Sequence, residues 1–263
     1  MIIRKSAEEV ARMRRAGRLV GHTLTVVTEQ VRPGVSLLEL DALAERTIRA
    51  AGAVPSFKGY HGFPASLCLS PNDRIVHGIP NDYRLREGDI LSVDCGAIVE
   101  GYHGDAAVTV PVGQVDEAAI RLIEATERAL WAGIDQCRPG NRLSDIGNAV
   151  EQVAAVDGYG VVREYVGHGI GTRMHEEPQV PNYGRPGRGL RLDAGLVLAI
   201  EPMLNEGGAE TEVLDDQWTV VTRDGSRSAH FEHTVAITEH GPEVLTLLDG
   251  RVQSEWLPRA MAQ

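Results

Sequence analysis

Gly88-Asp89-Ile90-Leu91-Ser92-Val93-Asp94 and Gly195-Leu196-Val197-Leu198-Ala199-Ile200-Glu201 share one pattern at an offset of 107 residues. Each opens on a turn glycine, runs on as an apolar strand and ends on a carboxylate. What precedes them repeats too: Arg32-Pro33-Gly34 returns as Arg138-Pro139-Gly140, and Gly52 as Gly158, both 106 residues on. Tyr60-His61-Gly62 lies over Gly167-His168-Gly169 at the offset of 107. A chance Arg-Pro-Gly pair would carry little weight, but with a matched glycine and a register-matched strand it indicates duplication. The expectation is one unit spanning 1–263, built from halves of about 6–110 and 116–238 whose apposition brings Asp94 and Glu201 to a shared centre.

Each half opens with two helices. Ser6 and Glu9 have capping-box spacing and start a helix reaching about Gln30, with Val10, Met13, Gly17, Val20, Leu24 and Val27 on one face. Ser36 and Glu39 start a second, which Gly52 ends. Helices over about 116–136 and 143–156 answer them in the second half. In each half the two helices are followed by strands.

The 263 residues carry 37 acidic against 26 basic side chains, a formal net charge of −11. That balance repels phosphate backbones and anionic lipid, which disfavours nucleic acid and membrane surfaces as partners. Cys68, Cys95 and Cys137 form no CxxC pair, so neither a disulfide framework nor a zinc ribbon is indicated. Met1 to Ser6 holds no apolar leader core, and Leu196 to Ile200 is too short to span a bilayer. A reducing, cytoplasmic setting follows as the expectation.

Asp89–Gly96 alternates as a strand with Ile90, Ser92 and Asp94 on one face, and Tyr102–Val110 places Asp105, Ala107 and Thr109 together. A turn centred near Val99-Glu100 would set Asp94 directly opposite Asp105. Like charges so placed repel unless exposed or bridged by a cation, and the apolar strands favour the cation. Glu201 ends an apolar run and Glu232 sits in another strand-like stretch, both costly to bury unpaired. His168, between Gly167 and Gly169, leaves room for close approach. Singly, each has an ordinary reading as a solvated carboxylate or a structural histidine. Two Asp, two Glu and one His together form a hard donor set suited to a pair of divalent ions.

Asn72 to Pro80, Asp94 and Asp105 with ten residues between them, Gly167-His168-Gly169-Ile170-Gly171, His175-Glu176-Glu177-Pro178, Glu201-Pro202 and Glu232-His233-Thr234 resemble type I methionine aminopeptidases, in the short bacterial form, from the first helix to about Leu248. The resemblance implies the pita-bread fold, an α+β domain of two pseudo-symmetric halves of antiparallel sheet with flanking helices. It implies that Asp94, Asp105, His168, Glu201 and Glu232 bind two divalent ions (Co, Mn, Fe or Zn), with Asp105 and Glu232 bridging. His77 and His175 match the two catalytic histidines that bind no metal, and Glu201 the proton carrier. Phe57, Tyr60, His61, Phe63, Cys68, Met174 and Trp218 fall in or beside the methionine pocket. Phe63 stands where tyrosine is common, Met174 where phenylalanine is common, and His230 where glutamine is frequent.

The implied activity is metal-assisted removal of the initiator methionine from nascent polypeptides, by a monomer. Lys5, Arg4, Arg12, Arg14, Arg15 and Arg18 make the first helix locally basic. A solvated face is the ordinary account, and a ribosomal contact the alternative. Proline dipeptidases and aminopeptidase P share the five ligands but carry a further N-terminal domain, for which nothing lies ahead of Ser6. A non-catalytic binding protein of this fold should have lost ligands, and all five are present.

Overall fold

The computed structural model describes residues 2–251. Met1, in the stretch read for a leader, and 252–263, within the proposed single unit, lie outside the described residues. The Ser6 hydroxyl accepts the Glu9 N–H while the Glu9 carboxylate accepts the Ser6 N–H, and this capping box opens α1 (Ala7–Thr28). Ser36 and Glu39 repeat it at α2 (Leu37–Ala50). Asp116 caps α3 (Glu117–Asp135), and α4 (Leu143–Asp157) follows the second Arg-Pro-Gly turn. Met13, Val20, Leu24 and Val27 of α1 are fully buried.

The strands of the first half are β1 (Val54–Pro55), β2 (Leu67–Pro71), β3 (Arg74–Val76), β4 (Ile90–Val99) and β5 (Tyr102–Pro111). The second half contributes β6 (Gly160–Val161), β7 (Gly167–Gly169), β8 (Glu176–Val180), β9 (Val197–Ile200), β10 (Met203–Asn205), β11 (Thr211–Val213), β12 (Val220–Thr222), β13 (Ser228–His230), β14 (Glu232–Thr238) and β15 (Gly241–Val244). The main sheet is antiparallel, in the order β1-β4-β5-β14-β9-β7-β8, with β2 also on β4 and β15 also on β14. Leu91, Val93 and Cys95 of β4 join Leu198 and Ile200 of β9 in the core shared with Val20 and Leu24 of α1 and Leu37 and Leu40 of α2. Because side chains alternate along a strand, Ser92 and Asp94 point to the other face. The helices cover one side of the sheet and the carboxylates line the other.

The halves match bond for bond. Gly34 N–H donates to Leu85 O, as Gly140 N–H does to Leu192 O; Gly88 N–H donates to Val112 O, as Gly195 N–H does to Ile237 O. Gly88 and Gly195 have φ of +91° and +92°. β1 pairs with the end of β4 (Val54 with Ile98) as β6 pairs with β10 (Gly160 with Asn205). The halves meet along β5 and β14, where Glu232 faces Ala107.

Two expectations need correction. The hairpin closes on Val99 and Tyr102, so its turn is Glu100-Gly101, with φ of +50° and +81°. Both central residues lie in the left-handed region, which the twist of a two-residue hairpin favours and glycine eases. Asp94 therefore faces Ala107, and Asp105 faces Gly96. The two aspartates are diagonal neighbours on one face rather than directly opposed, which widens the space between them.

Secondly, Tyr60-His61-Gly62 is a 3₁₀ turn, not the counterpart of β7. That counterpart is β2: Ser70 pairs with Ser92 as His168 pairs with Ala199. Ser70 lies 15 residues after Pro55 and His168 seven after Val161, so the first half has eight extra residues here. The Tyr60–Gly62 turn occupies that insertion.

Candidate metal centre

β4 presents Asp94, β5 Asp105, β7 His168 and β14 Glu232, while Glu201 follows directly on β9. Asp94, Asp105, His168 and Glu232 are buried and the Glu201 side chain is only 12% exposed. Asp105, His168 and Glu232 each offer a ligand atom within 4.8 Å of the other two. Among the described residues the close partners of these carboxylates are imidazoles, not lysine or arginine. His168 Nε2 lies 3.9 Å from Asp105 Oδ2 and 3.6 Å from Glu201 Oε1, and His230 Nε2 lies 3.9 Å from Glu201 Oε2.

Burial pushes the Asp94 carboxyl up to about 8. Burial, then the charges of Asp94 and Glu201, holds Asp105 well above the usual carboxylate range. Glu201 rises through burial and then Asp94; Glu232 rises through burial and then Asp105, Glu201 and Asp94. Asp94 Oδ1, Asp105 Oδ1 and Glu232 Oε1 are buried and have no hydrogen-bond partner among the described residues. Such a cluster is electrostatically costly unless positive charge enters it. His168 is prepared for the same role. Its Nδ1 lies 2.9 Å from Gly169 O, a carbonyl that can only accept, so Nδ1 carries the proton. Burial, then His175, lowers its pKa to about 3, which leaves Nε2 with a free lone pair. Four carboxylates and one imidazole so arranged fit divalent cations.

The centre forms one wall of a cavity of about 260 Å³. Every side chain expected as a ligand, a catalytic group or a pocket residue lines it: the five above together with Phe57, Tyr60, His61, Phe63, Cys68, His77, Met174, His175 and Trp218. Phe57, Phe63, Ala65, Cys68 and Met174 make an apolar end, with Trp218 edge-on to Phe63 at 5.1 Å between ring centres. Burial, then Asp94, raises the Cys68 thiol, so it is a packed apolar group there. Tyr60 OH lies 2.8 Å from His175 Nδ1, and the His175 ring is 4.3 Å from that of His168. His77, just after β3, takes φ of +59°, a left-handed conformation uncommon for a non-glycine residue. Burial, then His175, lowers it to about 4.

Some contributors lay outside the sequence reading. Val76 lines the cavity, and Tyr165 meets the His77 ring edge-on at 5.6 Å. Val76 sits within the Asn72–Pro80 motif, but nothing in its type marks a pocket residue. Tyr165 stands in a loop without a spacing signal. His230 had been singled out only as a departure. It is buried beside Glu201, and among the described residues neither of its ring nitrogens has a hydrogen-bond partner.

The model of metallopeptidase family M24 matches residues 11–239. A methionine aminopeptidase of Clostridium perfringens is 53% identical over 248 residues, 94% of this chain and 100% of that protein. The crystal structure of a methionine aminopeptidase from Rickettsia prowazekii superimposes with a TM-score of 0.93 at 43% identity, covering 94% of this chain and 100% of that one. A prolidase from Pyrococcus horikoshii shares the fold alone, with a TM-score of 0.77 at 24% identity over 95% of this chain and 65% of its own.

Proposed function

The chain belongs to metallopeptidase family M24, and from that membership we infer a type I methionine aminopeptidase that removes the N-terminal methionine of nascent proteins. The observation that carries the inference is the cavity itself, in which a wall of buried carboxylates faces an apolar end of Phe57, Phe63, Ala65, Cys68 and Met174, a lining suited to an apolar thioether side chain. Asp94, Asp105, His168, Glu201 and Glu232 would together hold a pair of divalent cations. Co, Mn, Fe and Zn all suit such ligands, and availability often decides among them.

Bound cations of this kind lower the pKa of water and polarise a carbonyl. The chain's own residues do the rest. Phe57, Phe63, Cys68, Met174 and Trp218 enclose the methionine side chain, and Tyr60 and His61 border it. His175 is neutral, because burial lowers its pKa. With Nδ1 engaged by Tyr60, it keeps Nε2 for the carbonyl oxygen as negative charge develops there. His77 meets the scissile amide, and Glu201 holds and returns the proton that moves to the leaving amine. Val76 extends the apolar wall behind His77.

The whole chain acts as one catalytic unit, a cytoplasmic monomer working on nascent chains. No helix among the described residues is long and apolar enough to cross a membrane. Several bases of α1 are already paired, Arg12 with Glu8, Arg14 with Glu243 and Arg15 with Glu100, so a solvated face accounts for much of that cluster before a ribosome is invoked.

Hydrolysis of Met-Gly-type against X-Pro peptides, with and without chelator, tests the inference. The expected result is cleavage of Met-Gly peptides, lost on chelation and restored by a divalent cation at two ions per chain. Cleavage of X-Pro but not Met-Gly substrates would reverse it.

A further inference from the structure

Lys5 belongs to no motif of the active centre, yet its side chain is only 3% exposed. Its Nζ lies 2.5 Å from Oε2 of Glu176, itself 1% exposed. A lone ammonium pushed into a protein interior needs a reason, since its desolvation is only partly offset by one carboxylate. The reason is visible in what Glu176 does next. Its Oε1 accepts the Arg173 N–H at 3.3 Å, and Gly171 N–H donates to Arg173 O at 3.1 Å. Gly171 makes room for the arrangement: a Cβ there would stand 2.6 Å from both Glu176 Oε1 and Lys5 Cε. Lys5 is itself anchored by its N–H to Gly195 O at 2.7 Å, and Arg4 beside it pairs with Asp193. Residues 4–5 thus tie the 193–195 turn to the 171–176 loop. His175 immediately precedes Glu176 in that loop.

We propose that Lys5 is a positioning residue for His175: its buried ammonium holds Glu176, and through it the loop that sets the His175 ring between Tyr60 and His168. The proposal rests on the catalytic reading of His175 given above. It makes the segment ahead of α1 part of the catalytic apparatus, although none of its atoms meets substrate.

The test compares steady-state cleavage of a Met-Gly-type peptide, at saturating divalent cation, for His175→Ala, Lys5→Met and the two combined. His175→Ala should lower kcat by about 10²-fold or more. Lys5→Met should lower kcat by about tenfold, with KM and bound-cation stoichiometry unchanged. Added to His175→Ala it should cost less than about a further twofold, because coupled residues are not additive. Should Lys5→Met fail to fold, Lys5→Met with Glu176→Gln removes the unpaired buried charge and keeps an acceptor for Arg173. The same tenfold loss and the same non-additivity are expected of it. A kcat within about twofold of the parent, or an equal factor with and without the His175 ring, overturns the role of Lys5. Undiminished kcat in His175→Ala would instead overturn the reading of His175, and the proposal with it.

Discussion

Asp94 and His168 are displaced in opposite directions by the same burial, the carboxyl up to about 8 and the imidazole down to about 3. Each displacement has a sign for stability. A carboxyl raised in the folded state binds more protons folded than unfolded, so metal-free protein loses stability as pH rises from about 4 to 8. A histidine lowered from 6.5 to 3 acts the other way, adding stability as pH rises through that interval; His230 and His233, also lowered to about 3, and His77 and His103, lowered to about 4, reinforce it. Above 6.5 less than half of each imidazole stays charged in the unfolded chain, so their contribution fades and the carboxylates dominate. Metal-free protein should therefore show a falling thermal midpoint between about pH 7 and 8, and a saturating divalent cation should abolish that fall. A flat or rising midpoint without cation would contradict the cluster's electrostatics. These residues were legible as types and spacings. The mutual placement of Asp94 and Asp105 was not, because one turn residue more or less changes which side chains face each other, and Glu100-Gly101 rather than Val99-Glu100 makes the turn.

α1 comes so close to the strands and chain beneath it that side chains are excluded. A Cβ on Gly17 would lie 2.3 Å from Leu245 O, and one on Gly104 of β5 would lie 2.8 Å from Gly17 N. Backbone cannot yield as a long side chain can, so Gly17→Ala should cost about 1–3 kcal/mol, read from the denaturant midpoint. Ser36→Ala, which removes only the capping hydroxyl of α2, should cost about 1 kcal/mol. A cost below about 0.5 kcal/mol for Gly17→Ala would argue against tight contact there. Both helices were legible from their Ser-x-x-Glu boxes and apolar spacing, because those signals are local. The β1–β2 connection was not. A constant offset of 107 laid Tyr60-His61-Gly62 over a strand, and only pairing partners reveal that eight inserted residues intervene and that Ser70 holds the matching place.

At the scale of the molecule, the repeat in the chain becomes a repeat in hydrogen bonds, from Gly34 with Leu85 and Gly140 with Leu192 to the turns at Gly88 and Gly195. Duplication was readable because glycines with positive φ resist replacement, so both copies still carry them. The asymmetry was less readable: Ser70 against His168, and Ala107 against Glu232, are single-residue differences that pairing alone brings into correspondence.

The β5–β14 seam has a further consequence. Asp94 and Asp105 lie on one side of it, His168, Glu201 and Glu232 on the other, and the exposed Gly113 and Gln114 join the two. Neither side alone holds a full donor set. Fragments 1–113 and 114–263, expressed separately, should be inactive singly and should complement one another on mixing, with half-saturation shifted to lower fragment concentration by divalent cation. Complementation indifferent to cation would refute this. An ion at the centre is then a cross-link between two half-proteins as well as a reagent, and the concentration of free metal sets how firmly the molecule is held closed.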